Sequence, residues 1–423
     1  MATRRGMTRA SGRRSTGRWR PASRTQGSRS TSSPSTISAS AAIDCSGWGS
    51  RGSNRYYCPR PRAGVQFAAS ETDDVAGRFV MAVIDSDAHV VESERTWDFI
   101  PDELQHLRPI VLLPKEGYKS PAPEFWYIDG RAFSKGVNVG LDTDEATREA
   151  SDIAKRIAHM DELGVDTHVL YPSIFLRPLA THPEVDLALA QGYNRWLADI
   201  HRQGGGRLRW AVVLPTMSLG ESIEEMQFGK ENGACAVFMR GIEGPHRLSD
   251  PYMTPLWEEA QRLDLPVCIH AATGNFAFFD YFGRDAGFST FKLSGVGAFH
   301  DIVMKDMHLR FPDLRWGFVE LSASWVPYAM NDLALRFEKR GKAWPGRELL
   351  AERNIWVAVQ TADDIDYIID CAGEDNLVLG TDYGHNDTST ELHALRNLRE
   401  NGGLGDEVAD KILDHNPTKL YAL

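Results

Sequence analysis

Neither common glycine-rich phosphate loop is present in this 423-residue chain: no GxGxxG follows the first strand and no GxxxxGK[ST] occurs anywhere. Nucleotide binding therefore has no support. No CxxC pair occurs among the five cysteines (Cys45, Cys58, Cys235, Cys268, Cys371), which excludes the familiar thiolate zinc and redox motifs. The last three fall in apolar segments, where reduced, buried thiols are expected. No apolar run approaches the ~18 residues a membrane span needs, and no signal-peptide core opens the chain. A cytoplasmic protein without membrane contact is expected.

Lysine is missing from the first 80 residues, which hold 14 Arg against four acids (Asp44, Glu71, Asp73, Asp74), a net of +10. The whole chain carries −11, so residues 81–423 carry −21. Such an acidic body has no nucleic-acid footprint. The leader is rich in Ser, Arg, Gly and Thr and cannot bury enough surface to offset its ordering entropy, so disorder is expected. Its acid-poor composition is that of an organelle transit peptide, yet apolar residues such as Trp19 and Ile37 are too sparse for an amphipathic face. A targeting or polyanion-binding segment, a functionless tail and a misassigned start are the three readings. Met81, directly before the first credible strand, favours a start at that residue.

What the body does contain is an alternation of short apolar runs with longer helical patterns. Eight strands are read over 82–87, 166–171, 208–214, 234–239, 265–270, 314–320, 354–359 and 376–382. Near-continuous runs such as Thr167-His168-Val169-Leu170-Tyr171 suit a parallel sheet covered on both faces. Eight strand–helix units predict an α/β fold, a TIM (β/α)8 barrel over 81–423, with an open doubly wound sheet as runner-up. The stretches 90–149 and 275–291 read as insertions over the face where the strand C-termini meet.

The pentapeptide Asp85-Ser86-Asp87-Ala88-His89 closes the first apolar run. Strand side chains alternate faces, so Asp87 and His89 point the same way. His270 ends the fifth strand and Asp382 the eighth, and in a barrel these residues converge with Glu320 although they are far apart in sequence. Two imidazoles and two carboxylates make a nitrogen and oxygen set that suits Zn²⁺, Mn²⁺ or Fe²⁺ and lacks the thiolates of structural zinc. Each residue alone has a plainer role, as a helix cap or a satisfied core histidine. The aromatics from Phe276 onward read as an apolar lid for a planar substrate, or as rim packing.

Taken together, Asp85-Ser86-Asp87-Ala88-His89, Met160 to Asp166, Leu170-Tyr171-Pro172-Ser173, Tyr193 to Leu197, Asp250-Pro251-Tyr252, Phe311 to Arg315, Gly380 to His385 and Asn416-Pro417 carry a resemblance over about 82–423. The body resembles the amidohydrolase-related family that includes aminocarboxymuconate semialdehyde decarboxylase and γ-resorcylate decarboxylase. The resemblance implies a single divalent ion, zinc or manganese, held by Asp87, His89, His270 and Asp382. It also implies a homodimer as one assembly open to the chain. Two departures stand out: Asp87 precedes His89 where many members have His or Glu, and Glu320 stands where the decarboxylases place a catalytic His. Strand four reads Val237-Phe238-Met239-Arg240 and lacks the lysine of two-metal members, which favours a mononuclear site.

The leading expectation is a metal-dependent, non-oxidative decarboxylase of a small aromatic or unsaturated carboxylic acid. Glu320 or His300 would deliver the proton, Arg240 would hold the carboxylate or equally well sit in a rim salt bridge, with Arg177 a weaker candidate, Tyr171 would contact substrate or be a barrel-layer residue, and Phe276 would contact substrate. His385 would orient Asp382 or meet substrate. Hydrolysis of an amide, ester or lactone by metal-activated water, with Asp382 shuttling the proton, is the alternative. A non-catalytic metal-binding scaffold is the third.

Overall fold

The computed structural model describes residues 81–423, apart from Tyr118, Pro121, Val137, Arg284, Asp285, Ala286 and Gly402. The expectations for the leader fall outside the described residues. Eight strands form one sheet in which spatial order follows chain order: β1 (Ile84–Val90), β2 (Thr167–Pro172), β3 (Leu208–Val213), β4 (Ala234–Arg240), β5 (Val267–His270), β6 (Trp316–Val319), β7 (Ile355–Val359) and β8 (Leu377–Leu379). Every neighbouring pair is parallel. The ring closes just past β8, where Asp382 N donates to Asp87 O at 2.8 Å and His89 N donates to Tyr383 O at 2.9 Å. Gly380 makes that closure possible, because a Cβ there would lie 2.2 Å from the Asp87 Cβ. This is the TIM barrel that the alternation predicts.

Burial explains the strand pattern. All seven residues of β4 are buried, since a barrel strand is covered by the interior on one face and by helices on the other. The helices carry ordinary start and stop signals. In α1 (Ile153–Leu163) the Asp152 side chain accepts from Lys155 N and Gly164 ends the helix at φ 71°, while Ile153, Arg156, Met160 and Leu163 form the buried stripe. Helix α2 (Pro183–Gln203) starts on Pro183. Its Asn194 is buried and bonds both Val213 O (2.8 Å) and Val213 N (3.0 Å), tying the helix to the end of β3.

The observed β1 runs on to Val90, so Asp87 and His89 lie within the strand rather than in the loop after it. The first insertion holds an antiparallel sheet of three short strands, Ile110–Leu112, Phe125–Ile128 and Arg131–Ser134, too short to show a period in the sequence. It reaches the barrel mouth through Gly140 N, which donates to Gly384 O at 2.9 Å. The second insertion forms the helix Phe276–Phe282 and a π-helical turn, Phe288–Lys292, that leads into α3 (Leu293–Met304). Cys235 and Cys268 are free and buried. Cys371 is buried but disulfide-bonded, which corrects the reading of all three as reduced. Among the described residues no helix is long and apolar enough to cross a membrane.

Candidate metal centre

Five barrel residues converge at the C-terminal mouth. Asp87 and His89 come from β1, His270 is the last residue of β5, Glu320 follows β6 and Asp382 follows β8. Asp87 Oδ1 lies 3.2 Å from His270 Nε2 and 3.4 Å from His89 Nε2. His89 Nε2 is 3.4 Å from Asp382 Oδ1 and 3.8 Å from Glu320 Oε2, and His270 Nδ1 is 3.2 Å from the same Glu320 oxygen. All five are at least 94 % buried. Glu320 and Asp382 turn off their strands in the left-handed region, at φ 60° and 53°. Side chains with a Cβ avoid that conformation at a cost of about 1–3 kcal/mol, so the surrounding fold holds both carboxylates in place against local strain.

Burial and charge set the electrostatics. Burial acts to raise the Asp87 carboxyl, but the His270 and His89 imidazoles outweigh it and hold Asp87 well below the carboxylate range. Burial, with His385 nearby, pushes His89 down to about 3. Burial lifts Asp382 to about 6 against the pull of His385. Glu320 is raised furthest, by burial and then by Asp382, Asp387 and Asp87. Four of these buried atoms, His89 Nε2, His270 Nδ1, Glu320 Oε2 and Asp382 Oδ1, have no hydrogen-bond partner. Unsatisfied buried groups of this kind are costly unless an ion or a proton is shared among them. Asp87, His89, His270 and Glu320 form one group able to hold a metal ion, and His89, Glu320, Asp382 and His385 another. The donors fit a single divalent ion of borderline or hard character.

The family model for amidohydrolases matches residues 84–423. The chain belongs to the amidohydrolase family. A search of curated proteins found no match. Among solved structures, an amidohydrolase from Mycobacterium avium subsp. paratuberculosis K-10 is similar at TM-score 0.64 and 18% identity, covering 81% of this chain and 100% of that one. The 5-carboxyvanillate decarboxylase from Novosphingobium aromaticivorans, solved with manganese and 4-hydroxy-3-methoxy-5-nitrobenzoic acid, matches at TM-score 0.58 and 18% identity over 81% and 97% of the two chains. The 2,6-dihydroxybenzoate decarboxylase from Rhizobium matches at 0.55 and 15% over 81% and 99%. At these identities the likeness speaks to the fold.

A second layer of this amidohydrolase site orients the first. His89 Nδ1 donates to Pro172 O at 3.2 Å, which leaves Nε2 free to face the cluster. The ring stacks on His385 with centroids 3.8 Å apart. His385 sets Nδ1 2.7 Å from Asp382 Oδ1 and Nε2 2.8 Å from Ser173 Oγ. Thr390 Oγ1 donates to the other Asp382 oxygen at 2.6 Å. Beneath the site, Arg156 donates to His89 O at 2.9 Å, and Asp85 accepts from Thr381 N (2.9 Å) and Oγ1 (2.5 Å).

Glu92 is buried beside this layer and accepts from Ser173 N (3.1 Å) and Ile174 N (2.9 Å). Burial raises its carboxyl to about 7, whereas the unfolded chain loses that proton near ~4.3. Between these values the folded state binds more protons, so the stability Glu92 contributes is complete below the unfolded value and falls as pH rises toward about 7. His89 works in the opposite sense, so a variant comparison isolates Glu92. In thermal melts of the metal-free protein at about pH 5 and about pH 8, Glu92→Gln is expected to shrink the decline shown by the parent. Equal declines in both proteins would place Glu92 in the ordinary range.

Arg240 and His300, read from the sequence, are not brought to the cluster, and Tyr171 meets it through its ring, 5.1 Å from that of His270, rather than through its hydroxyl. The Arg240 guanidinium is held by Glu243, with Nε at 2.9 Å from Oε1 and Nη2 at 2.5 Å from Oε2, and Nη1 faces the carbonyls of Phe175 and Arg177. Its fork is spent on a buried ion pair. Tyr171 directs its hydroxyl to Tyr421 OH at 3.0 Å, and Tyr421 in turn donates to Ser86 O. It is a layer of the barrel interior. His300 lies on α3, where Nε2 is 3.1 Å from Asp332 Oδ2 on α4 (Val326–Lys339). Phe276 does stand at the mouth, but Arg131 covers its ring at 4.1 Å. Glu92 and Thr390, which the sequence reading passed over, and Ser173, which it quoted in a motif without a role, belong to the site's supporting layer. Only Ser173 had a signal, its place after the end of a barrel strand.

Proposed function

We propose that the protein is a metal-dependent, non-oxidative decarboxylase of a small aromatic or unsaturated carboxylic acid. The observation that carries this reading is the place of Glu320, a carboxyl buried where β6 ends and 3.2 Å from His270, whose proton affinity burial and the neighbouring carboxylates raise. Such a group is an acid ready to give its proton to carbon. Asp87, His89, His270 and Asp382 are the residues that would hold the ion. When bound, a divalent ion supplies Lewis-acid polarisation of a substrate oxygen. As the bond to the carboxylate carbon breaks, its electron pair stays on the ring or chain carbon and takes the Glu320 proton. Glu320 then recovers a proton from solvent. His385, held between Asp382 and Ser173, keeps the Asp382 carboxylate aimed at the cluster. The names of the two decarboxylases similar to this chain support the substrate class.

Hydrolysis of an amide, ester or lactone is the second reading. It is favoured by the Asp382–His385–Ser173 contacts, which give a carboxylate near its titration point a path for a proton. The deciding experiment incubates the zinc- and manganese-loaded enzyme with a panel of hydroxybenzoates in D₂O and in H₂¹⁸O. Release of CO₂ matched by deuterium at the vacated carbon is expected. ¹⁸O entering products of an ester and amide panel, with no CO₂ from any acid, would replace the decarboxylase by the hydrolase.

A further inference from the structure

The π-helical turn Phe288–Lys292 ends on a half-buried lysine whose position the metal centre does not explain. Lys292 Nζ lies 3.4 Å from Ser389 Oγ. Ser389 belongs to the loop after β8 and precedes Thr390, whose hydroxyl is bonded to Asp382. Lys292 therefore links the loop after β5 to the loop after β8, and its charge acts on Glu320 against those of Asp382, Asp387 and Asp87. A π-helical turn rotates the residues that follow it and is frequent at functional positions. This one comes after the aromatic helix Phe276–Phe282 in the same insertion.

Charge accounting shows what that ammonium is for. Asp87 and Asp382 together neutralise a divalent ion, and Glu320 adds either no charge or a negative one, so the cluster itself has nothing left to draw in an anion. Two other basic side chains are engaged, Arg240 with Glu243 and Arg131 with Asp280 at 3.3 Å, while Arg177 keeps a buried Nε without a hydrogen-bond partner. We propose that Lys292, with Ser389 beside it, forms a carboxylate-binding subsite that holds the substrate's anionic group over Glu320. The proposal rests on the carboxylic-acid reading above and adds the residue that selects for charge. Ser389 holds the ammonium when no substrate is present and can donate its own hydroxyl once the carboxylate arrives.

The test measures binding, not turnover. Benzoate and its neutral analogue benzamide are titrated by calorimetry into the manganese-loaded full chain, and into Lys292→Gln and Lys292→Arg. The parent is expected to prefer benzoate. Lys292→Gln should lower that preference by about tenfold, the factor a charge-assisted hydrogen bond carries, with metal content and benzamide affinity unchanged, while Lys292→Arg keeps most of it. An unaltered preference in Lys292→Gln overturns the subsite and leaves the carboxylic-acid reading standing. Loss of benzamide affinity in the same proportion also overturns it, since Lys292 would then only hold the lid. A parent that shows no preference for benzoate removes both the subsite and the carboxylic-acid reading.

Discussion

Replacing His270 by Ala is expected to empty the metal site. Protein prepared without chelator should hold about one equivalent of zinc or manganese in the parent and less than about a tenth of that in His270→Ala, because losing a ligand costs more affinity than the 10- to 100-fold that changes outside the ligand shell cause. The reason is geometric. Both nitrogens of His270 face carboxylates across the barrel, Nε2 toward Asp87 and Nδ1 toward Glu320, so truncation removes the only contribution of β5 and leaves the β1 and β8 groups on one side. Asp382→Ala should behave alike for a different reason. It removes a negative charge from the ligand set and frees His385, Thr390 and His89 from their shared partner. Elemental analysis checks both, and melting with added ion provides a second readout, because a ligand at ~100 times its Kd stabilises by about 2.7 kcal/mol. Full metal occupancy in both variants would move the ion away from this cluster.

Glu320→Gln is expected to keep the ion and lose the reaction. The amide is isosteric and can still face His270, but it has no acidic proton to give, so turnover should fall by about 10² to 10⁴, the usual contribution of a positioned acid. The raised proton affinity of Glu320 predicts this outcome. Burial and the neighbouring carboxylates raise the proton affinity of Glu320, which suits an acid. Product formation is the measurement, with metal content determined on the same sample. If Glu320→Gln instead loses the ion in step with activity, Glu320 is a ligand, and the proton must come from elsewhere.

Much of this was legible in the chain because it depends on local periodicity. An apolar run is a barrel strand wherever both its faces are covered, which is why β4 and β5 stand out. The spacing of Asp87 and His89 follows from the two-residue repeat of a strand. The strand-end residues His270 and Asp382 were legible for the same reason, since a barrel gathers strand C-termini on one face. The hairpin strands of the first insertion were not legible, being three or four residues long and stabilised by pairing with one another.

Long-range pairing decides between alternatives that the sequence leaves open. Arg240 could bind a carboxylate or sit in a salt bridge, and the turn that brings Glu243 back beneath it selects the salt bridge. Tyr171 points to the barrel floor because Tyr421, 250 residues away, supplies its partner. His300 has a polar partner on the neighbouring helix, and no pattern around it could announce Asp332. Ser173, Glu92 and Thr390 matter through hydrogen bonds to groups that folding alone brings close.

The sequence by itself determined the barrel, the family and the residues that converge at the barrel mouth, because alternation and strand-end placement are encoded within a few neighbouring positions. The tertiary structure decided which charges remain free. It paired Arg240 with Glu243, aimed His89 Nε2 at Asp382 through the Pro172 carbonyl, raised Glu320 among three carboxylates and brought Lys292 to Ser389. Each of these depends on burial and on partners distant in the chain, and the strength of a charge is set by the groups around it rather than by its neighbours in sequence.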